Sequence, residues 1–335
     1  MKAFEIQQFG IENLALVERD APQPKPSEVL VKFHAASLNY RDLMVVRGHY
    51  NPRLKMPLVP LSDGAGEVVA VGESVKKWKT GDRVCPIFMQ GWIEGEPTAQ
   101  KSRTALGGDA DGTLREFGAF DEQSLVKIPE HLSYAEAATL PCAAVTAWHA
   151  LVVSGKLKAG EKVLTQGTGG VSVFAIQFAR MFGARVLATS SSDDKLEKVK
   201  QLGANEIINY KQTPDWDKSV LELTGKTGVD HIVEVGGAGT LPKSLNAIKI
   251  GGHIALIGVL TGGGGEINPR SILMKSVKVQ GIFLGSRQMF EEMNRAIELN
   301  RLKPVIDRTF AFEEAREAFK YMESAGHFGK IVIEF

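Results

Sequence analysis

From Ser133 onward, short apolar runs alternate with longer mixed stretches. EKVLTQ, ARVLATS, EIINY, VDHIVEV and HIALIGV are rich in Val, Ile and Leu and bounded by turn residues, which predicts strands. GVSVFAIQFARMFG and DDKLEKVKQLG lie between them and read as helices. Strands alternating with helices predict βαβ units and a parallel sheet. SYAEAATLPCAAVTAWHALV is helical in composition, with Ser133 a suitable N-cap and Glu136 placed to complete a capping box. The final stretch, from MFEEMNRAIELN to GKIVIEF, reads as helix, strand, helix, strand. Residues 1 to about 130 follow another pattern: EVLVKFHAASL, GAGEVVAVG and the run after TGDR are Val-rich and turn-bounded, so strands and turns are expected. The polar, glycine-rich segment over 90–112 predicts a long surface loop, and GGGG at 262–265 another loop.

A chain of 335 residues is too long for one simple core, so two domains are expected. Hydrophobic residues at 44% and charged residues at 24% describe an ordinary soluble protein. Forty basic against 39 acidic residues give no electrostatic reason to expect nucleic acid or an anionic membrane surface. Two cysteines, Cys85 and Cys142, make no disulfide framework, and no Cys/His group has zinc-finger spacing. MKAFEIQQFG lacks the basic start and apolar run of a signal peptide, and no apolar stretch reaches membrane-spanning length. A cytoplasmic location is expected.

The candidate chemistry starts at QGTGGVS. Gly167 and Gly169 fit the first two positions of G-x-G-x-x-G, while the third holds Ser172, which is still small. The loop lies between an apolar strand and a helix, the context in which this spacing makes a pyrophosphate cradle from Gly167, Thr168, Gly169, Gly170 and Val171. The following strand ends in Ser190, Ser191 and Ser192, with Asp193 and Asp194 only after it. A carboxylate at the strand tip would repel a 2′-phosphate, whereas serines and Lys195 would bind it, so NADPH is expected rather than NADH. Ser192 or Asp193 can also cap the next helix and Lys195 can simply be solvated; a cap and a phosphate ligand are compatible.

The ordered series SLNYRD, GDRV, AATLPCAAVTAWHAL, GTGGVS, LGANEIINY, VGGAG and GKIVIEF resembles the medium-chain dehydrogenase/reductase superfamily, in its zinc-free, quinone-oxidoreductase-like branch. The resemblance covers essentially the whole chain. It implies an α/β protein with a GroES-like β-rich catalytic domain at 1–143 and 285–335 and a Rossmann NADP-binding domain, a doubly wound parallel sheet, at 144–284. It places the active site in the cleft between them and implies a homodimer joined through the strand in VKVQGIFL. The catalytic zinc positions of the family match Asn39, Ser62 and Cys142, a poor zinc set, and the closely spaced cysteines of its structural zinc lobe are missing. No metal is expected, and Cys142 reads as a small apolar residue packed in a helix. Lys195 and Tyr210 match the grip on the 2′-phosphate, with Ser190 or Ser191 beside them. Asn39 and Thr146 match contacts on the nicotinamide side. Val235, Gly236, Gly258, Val259, Phe283 and Leu284 match contacts along the cofactor. Arg287 and Lys330 are further cofactor candidates, each equally readable as a surface charge.

The chemistry so implied is hydride transfer from a nicotinamide to an electrophilic carbon, with the protein stabilising the oxyanion that develops. Asn39 and Tyr40 are the candidate donors, and Asp42 and Asp63 could tune a donor or relay a proton. Arg41 and Asp42 could equally help to cap a helix, and Asp63 could be only a turn residue. The expected function is zinc-independent, NADPH-dependent reduction of a quinone, enone or other carbonyl compound. The alternatives are a zinc-independent alcohol dehydrogenase or aldehyde reductase, and a non-catalytic NADPH-binding protein of structural or RNA-binding type. Neutral net charge weighs against RNA.

Overall fold

One long strand, Glu28–Leu38, organises the first half of the molecule. The structure, a computed structural model, describes residues 1–262 and 264–335, so Gly263 of the GGGG loop lies outside the described residues. The chain divides into two units, Met1–Val145 with Gly285–Phe335, and Thr146–Leu284.

In the first unit, a seven-stranded sheet runs in the order Ile306–Ala311, Lys330–Glu334, Glu28–Leu38, Asp63–Val71, Arg83–Pro86, Leu125–Lys127, with Phe117–Asp121 also paired to Glu28–Leu38. Leu38 pairs with Ile331 on one side, and Ser37 pairs with Asp63 on the other. This register makes Asn39, Lys330 and Ser62 meet at one end of the sheet, although they are far apart in sequence. Ala36, Leu38, Ile331 and Ile333 are fully or almost fully buried, and helix Ala315–Glu323 covers them. Its buried residues, Ala315, Ala318, Phe319 and Met322, recur at helical spacing and form one apolar stripe.

The segment over 90–112 is only in part the surface loop expected: residues 94–100 are exposed, but its ends turn inward. Trp92 is fully buried, with its indole N–H donating to the Gly95 carbonyl at 2.8 Å, and Ala105 and Leu106 are also inside. Thr98 caps one helical turn, Ala99–Ser102. Leu106 packs with Val29, Val31 and Phe33 of the sheet, and the polar remainder of the segment hides that signal in the composition.

Ser133 Oγ accepts from the Glu136 amide and the Glu136 carboxylate accepts from the Ser133 amide, which starts helix Tyr134–Ala138. The helix then widens into π-helical turns at Leu140–Ala144, within this unit.

The second unit holds six parallel strands in the order Glu206–Asn209, Arg185–Ser190, Lys162–Gln166, Val229–Glu234, Ile248–Leu256, Lys278–Gly281. Winding outward in both directions from Lys162–Gln166, the order reverses next to Val229–Glu234. That is the topological switch point of a doubly wound sheet, where strand ends splay apart and ligands bind. Leu164, Leu187, Ile232 and Ile254 fill its core. Among the described residues, no helix is long and apolar enough to cross a membrane.

Candidate active site

The end of the first sheet carries a closed set of polar side chains. The Lys330 ammonium is 3% exposed and donates to Leu38 O and to Asn39 Oδ1, each at 2.6 Å. Asn39 Nδ2 faces Ser62 Oγ at 3.4 Å, and Ser62 Oγ donates to Asp63 Oδ1 at 3.1 Å. Asp63 Oδ2 accepts the Cys142 amide at 3.3 Å and lies 3.8 Å from Lys330 Nζ. Burial pushes the Asp63 carboxyl above its ordinary range, while Lys330, then Asn39, Ser62 and the Cys142 amide pull it back. The Cys142 thiol is held well above its usual value, first by desolvation and then by the Asp63 charge. Asp63 opens the strand Asp63–Val71 and is fully buried, so it is not merely a turn residue.

Asn39 is also the N-cap of helix Tyr40–Val46. Its backbone amide donates to Asp42 Oδ2 at 2.9 Å, and Asp42 is fully buried, with Arg41 Nη1 3.4 Å away. The structure thus assigns Asp42 to the cap, which holds Asn39 from the backbone side. Both carboxylates are fully buried, so either would tune a donor or pass a proton through its neighbours and not by touching a substrate directly. Tyr40 is half exposed at the start of the same helix. Arg41 stacks between Tyr50 and Phe88.

In the second unit, Gly167 has φ +71°, and a Cβ built on Gly167 or Gly169 would project into open space. Helix Gly170–Met181 begins there with no side-chain cap, leaving its first-turn amides for another acceptor. Positive φ at Gly167, an uncapped helix start and room in front are what a pyrophosphate requires. Ser172, at the third position of the motif, donates to Gln166 O at 2.7 Å and so clasps helix to strand.

At the tip of Arg185–Ser190, the Tyr210 amide donates to Ser190 O at 3.0 Å, so Ser190 and Tyr210 are neighbours. Ser192 caps the next helix through the Lys195 amide, and Ser191 lies between. Asp193 is turned aside: Asn209 Nδ2 donates to one of its oxygens at 2.7 Å and Gln212 Nε2 to the other at 2.8 Å. Val235, Gly236, Gly258 and Val259 form two loops in close approach. A Cβ at Gly258 would lie 2.2 Å from Val235 O, and one at Gly236 would be 2.2 Å from Thr240 Oγ1. Leu284 has φ +71°, Phe283 is half exposed and Thr146 is buried. Arg287, a cofactor candidate from the sequence, instead has its Nη1 on Gln123 O and Oε1, at 2.9 and 2.6 Å.

Sequence reasoning missed Glu234. Fully buried at a strand end, its carboxylate accepts from Gln166 Nε2 at 2.7 Å, from the Gly236 and Gly237 amides at 2.9 and 3.1 Å, and from Ser244 and Thr240. It ties the glycine-loop strand to the Gly236 turn. An acid directly before VGG was the available signal. Among the described residues, no three His, Cys, Asp or Glu side chains group as a metal site.

Known proteins carry the same architecture. Residues 25–130 match the alcohol dehydrogenase GroES-like domain, and residues 170–299 match the zinc-binding dehydrogenase family. A zinc-type alcohol dehydrogenase-like protein of Schizosaccharomyces pombe is 45% identical, over 97% of this chain and 96% of its own. Human quinone oxidoreductase is 31% identical, over 99% and 97%. A crystal structure of an NAD-dependent alcohol dehydrogenase superposes with a TM-score of 0.92 at 34% identity, covering both chains completely. The 2-octenoyl-CoA carboxylase reductase CinF, in complex with NADP and 2-octenoyl-CoA, gives 0.87 at 26%, over 97% of this chain and 82% of its own. The chain belongs to the medium-chain dehydrogenase/reductase superfamily and is a nicotinamide-dependent oxidoreductase.

The buried cap makes stability depend on pH. Burial pushes the Asp42 carboxyl up to about 6, against the pull of Arg41 and with Asp63 adding to the rise. Between about pH 4 and 6, the folded protein therefore keeps a proton that the unfolded chain, with an ordinary Asp value of about 3.9, has released. Stability should fall as pH rises through that window, with the full penalty present above it, by on the order of 2–3 kcal/mol from this group. Asp42→Asn keeps an acceptor for the Asn39 amide and should flatten the slope. Urea unfolding at a series of pH values from about 4 to 7 checks this; an unchanged slope in the variant would place the titrating group elsewhere.

Proposed function

We propose that the protein is a zinc-independent, NADPH-dependent reductase of quinones, enones or other carbonyl compounds. The observation that carries the cofactor reading is the tip of Arg185–Ser190. Hydroxyl side chains stand at the tip, and Asp193 has both oxygens engaged by amides, so it does not confront a 2′-phosphate. Lys195 and the exposed Tyr210 follow in the positions of a phosphate grip. CinF, a relative, holds NADP, whereas another is named for NAD; likeness alone does not choose, and the residues at the tip support NADPH.

The cofactor supplies a hydride when bound. The first-turn amides of Gly170–Met181 and the Gly167 turn would hold its pyrophosphate, and Glu234 fixes the loops beside them. Asn39 would donate through Nδ2 to the substrate oxygen on which negative charge develops, with Tyr40 as a second donor. Asp42 and Asp63 act on Asn39 by holding it.

Zinc independence is supported by the chemistry of the three matching positions. Asn39 Oδ1 is committed to an ammonium and Ser62 donates to a carboxylate, which leaves Cys142 as the one thiol in a set with an amide and a hydroxyl. This donor set does not fit the metal. A second reading is a zinc-independent alcohol dehydrogenase; its reaction class is favoured by the 45% identity to the Schizosaccharomyces pombe protein, which is named a zinc-type alcohol dehydrogenase-like protein. NADPH oxidation across quinones, enones, aldehydes and ketones, with products identified, separates the two: turnover of quinones or enones supports the first reading, and turnover confined to simple aldehydes and ketones the second.

A homodimer is also proposed. Strand Lys278–Gly281 stands at the edge of its sheet, and Leu273, Met274 and Ile250 of the same unit are 76, 67 and 75% exposed. An open strand edge beside bare apolar side chains is an association hazard unless a second copy covers it.

Three outcomes are expected. NADPH should bind more tightly than NADH in a fluorescence titration. Lys195→Ala should cost NADPH roughly ten- to a hundredfold in affinity, the worth of a charge-assisted contact, with Tyr210→Phe costing less and NADH little affected. Equal affinity for both cofactors in the parent would overturn the assignment. Metal analysis should find no stoichiometric zinc, and a strong chelator should leave turnover intact; one tightly held zinc per chain would refute zinc independence. Light scattering at micromolar concentration should give twice the chain mass of 36.4 kDa, and a monomer would refute the dimer.

A further inference from the structure

The polar side chains around Lys330 form a circuit with a single direction. Lys330 Nζ donates to Asn39 Oδ1, Asn39 Nδ2 donates to Ser62 Oγ, Ser62 Oγ donates to Asp63 Oδ1, and Asp63 Oδ2 faces Lys330 again at 3.8 Å. An ammonium has three donors and no acceptor, so only the carbonyl oxygen of the Asn39 amide can meet it. A carboxylate has only acceptors, so Ser62 must spend its proton on Asp63 and receive one from Asn39. The two charges thus fix both ambiguous groups between them. The circuit uses one of the two hydrogens on Asn39 Nδ2 and leaves the second. Asn39 itself is 8% exposed, where Lys330, Ser62 and Asp63 are more deeply buried.

We propose that Lys330 is a positioning residue for the hydride-transfer reaction: its ammonium holds the Asn39 carboxamide with Nδ2 as the outward donor, and supplies within the protein the fixed cation at this sheet end. The sequence suggests Lys330 as a cofactor contact. Here its ammonium is spent on Leu38 O, Asn39 Oδ1 and Asp63. Reversing the Asn39 amide would set Oδ1 against Ser62 Oγ and Nδ2 against the ammonium, a donor facing a donor, and would present an acceptor to a developing oxyanion. Without Lys330 only the weaker Ser62–Asp63 side of the circuit, a 3.4 Å contact from Asn39 Nδ2, opposes that reversal. The use of Asn39 as oxyanion donor rests on the function proposed above, but the orientation of its amide does not.

Lys330→Met and Lys330→Arg test this, with stability, cofactor affinity, steady-state kinetics and the Asn39 side-chain amide resonances measured for each. Those resonances are assigned by their loss in Asn39→Asp. Lys330→Met should lower kcat by about ten- to a hundredfold, the scale of a misplaced reacting group, with NADPH affinity little changed. The Asn39 amide pair should shift or merge as the group becomes free to turn over. Lys330→Arg, again a donor without an acceptor, should restore part of both. Asn39 resonances unchanged in folded Lys330→Met would overturn the proposal. A loss confined to NADPH affinity, with saturated turnover kept, would return Lys330 to the cofactor. A lower melting temperature with full turnover per folded molecule would reduce it to a structural role. If Lys330→Met does not fold, the parent still answers: its Lys330 ammonium should give a solvent-protected 1H–15N signal that is lost in Lys330→Arg, and the absence of that signal would overturn the circuit. A parent that neither binds nor oxidises NADPH would refute the proposed function and leave the resonance test standing.

Discussion

The charge around which the first unit is arranged is a buried ammonium. Taking Lys330 out of water costs several kcal/mol unless its hydrogen bonds and a counter-charge are supplied in place. The sheet register supplies them. Pairing Ile331 with Leu38 sets Lys330 beside Asn39, and pairing Asp63 with Ser37 brings a carboxylate to the other flank of the same strand. The helix after that strand is capped by the same asparagine, whose backbone amide is held by Asp42. Register, cap and side-chain circuit therefore constrain one another, and removing one member of the buried pair would leave the other uncompensated.

The second unit solves a related problem with the opposite sign. Glu234 is a fully buried carboxylate whose charge is spread over five donors from the glycine-loop strand, the Gly236 turn and the helix beyond. Loops at a switch point must be irregular to leave room for a ligand, and irregular loops lack ladder hydrogen bonds. A buried acceptor that gathers backbone amides and hydroxyls restores that order without filling the space before Gly167 and Gly169. In each unit one well-satisfied charge shapes loops whose sequences alone are permissive.

Local pattern made much of this legible. The alternation of apolar strands and helices, the capping box at Ser133 and Glu136, and the strand–glycine–helix junction at Gly167 depend on neighbours a few residues away, and the structure shows them. Relations between distant residues were harder. Trp92, Ala105 and Leu106 are buried within a segment whose composition reads as a surface loop. Ser192 and Asp193 read alike as possible caps of the next helix until Ser192 is found capping it and Asn209 and Gln212 are seen to hold Asp193. Arg287 reads equally as a cofactor contact or a surface charge, and its bonds to Gln123 are not visible in the sequence.

The sequence by itself determined the class of protein, the doubly wound sheet and the strand–glycine–helix junction at Gly167, because each is written in short-range periodicity or in contiguous motifs. The family resemblance also singled out Asn39, Ser62 and Cys142. Only the tertiary structure decided what surrounds them. Lys330 lies 291 positions from Asn39. An isolated lysine near a chain end carries no mark of burial. Its partners are chosen by strand register, a long-range property fixed when the whole sheet packs.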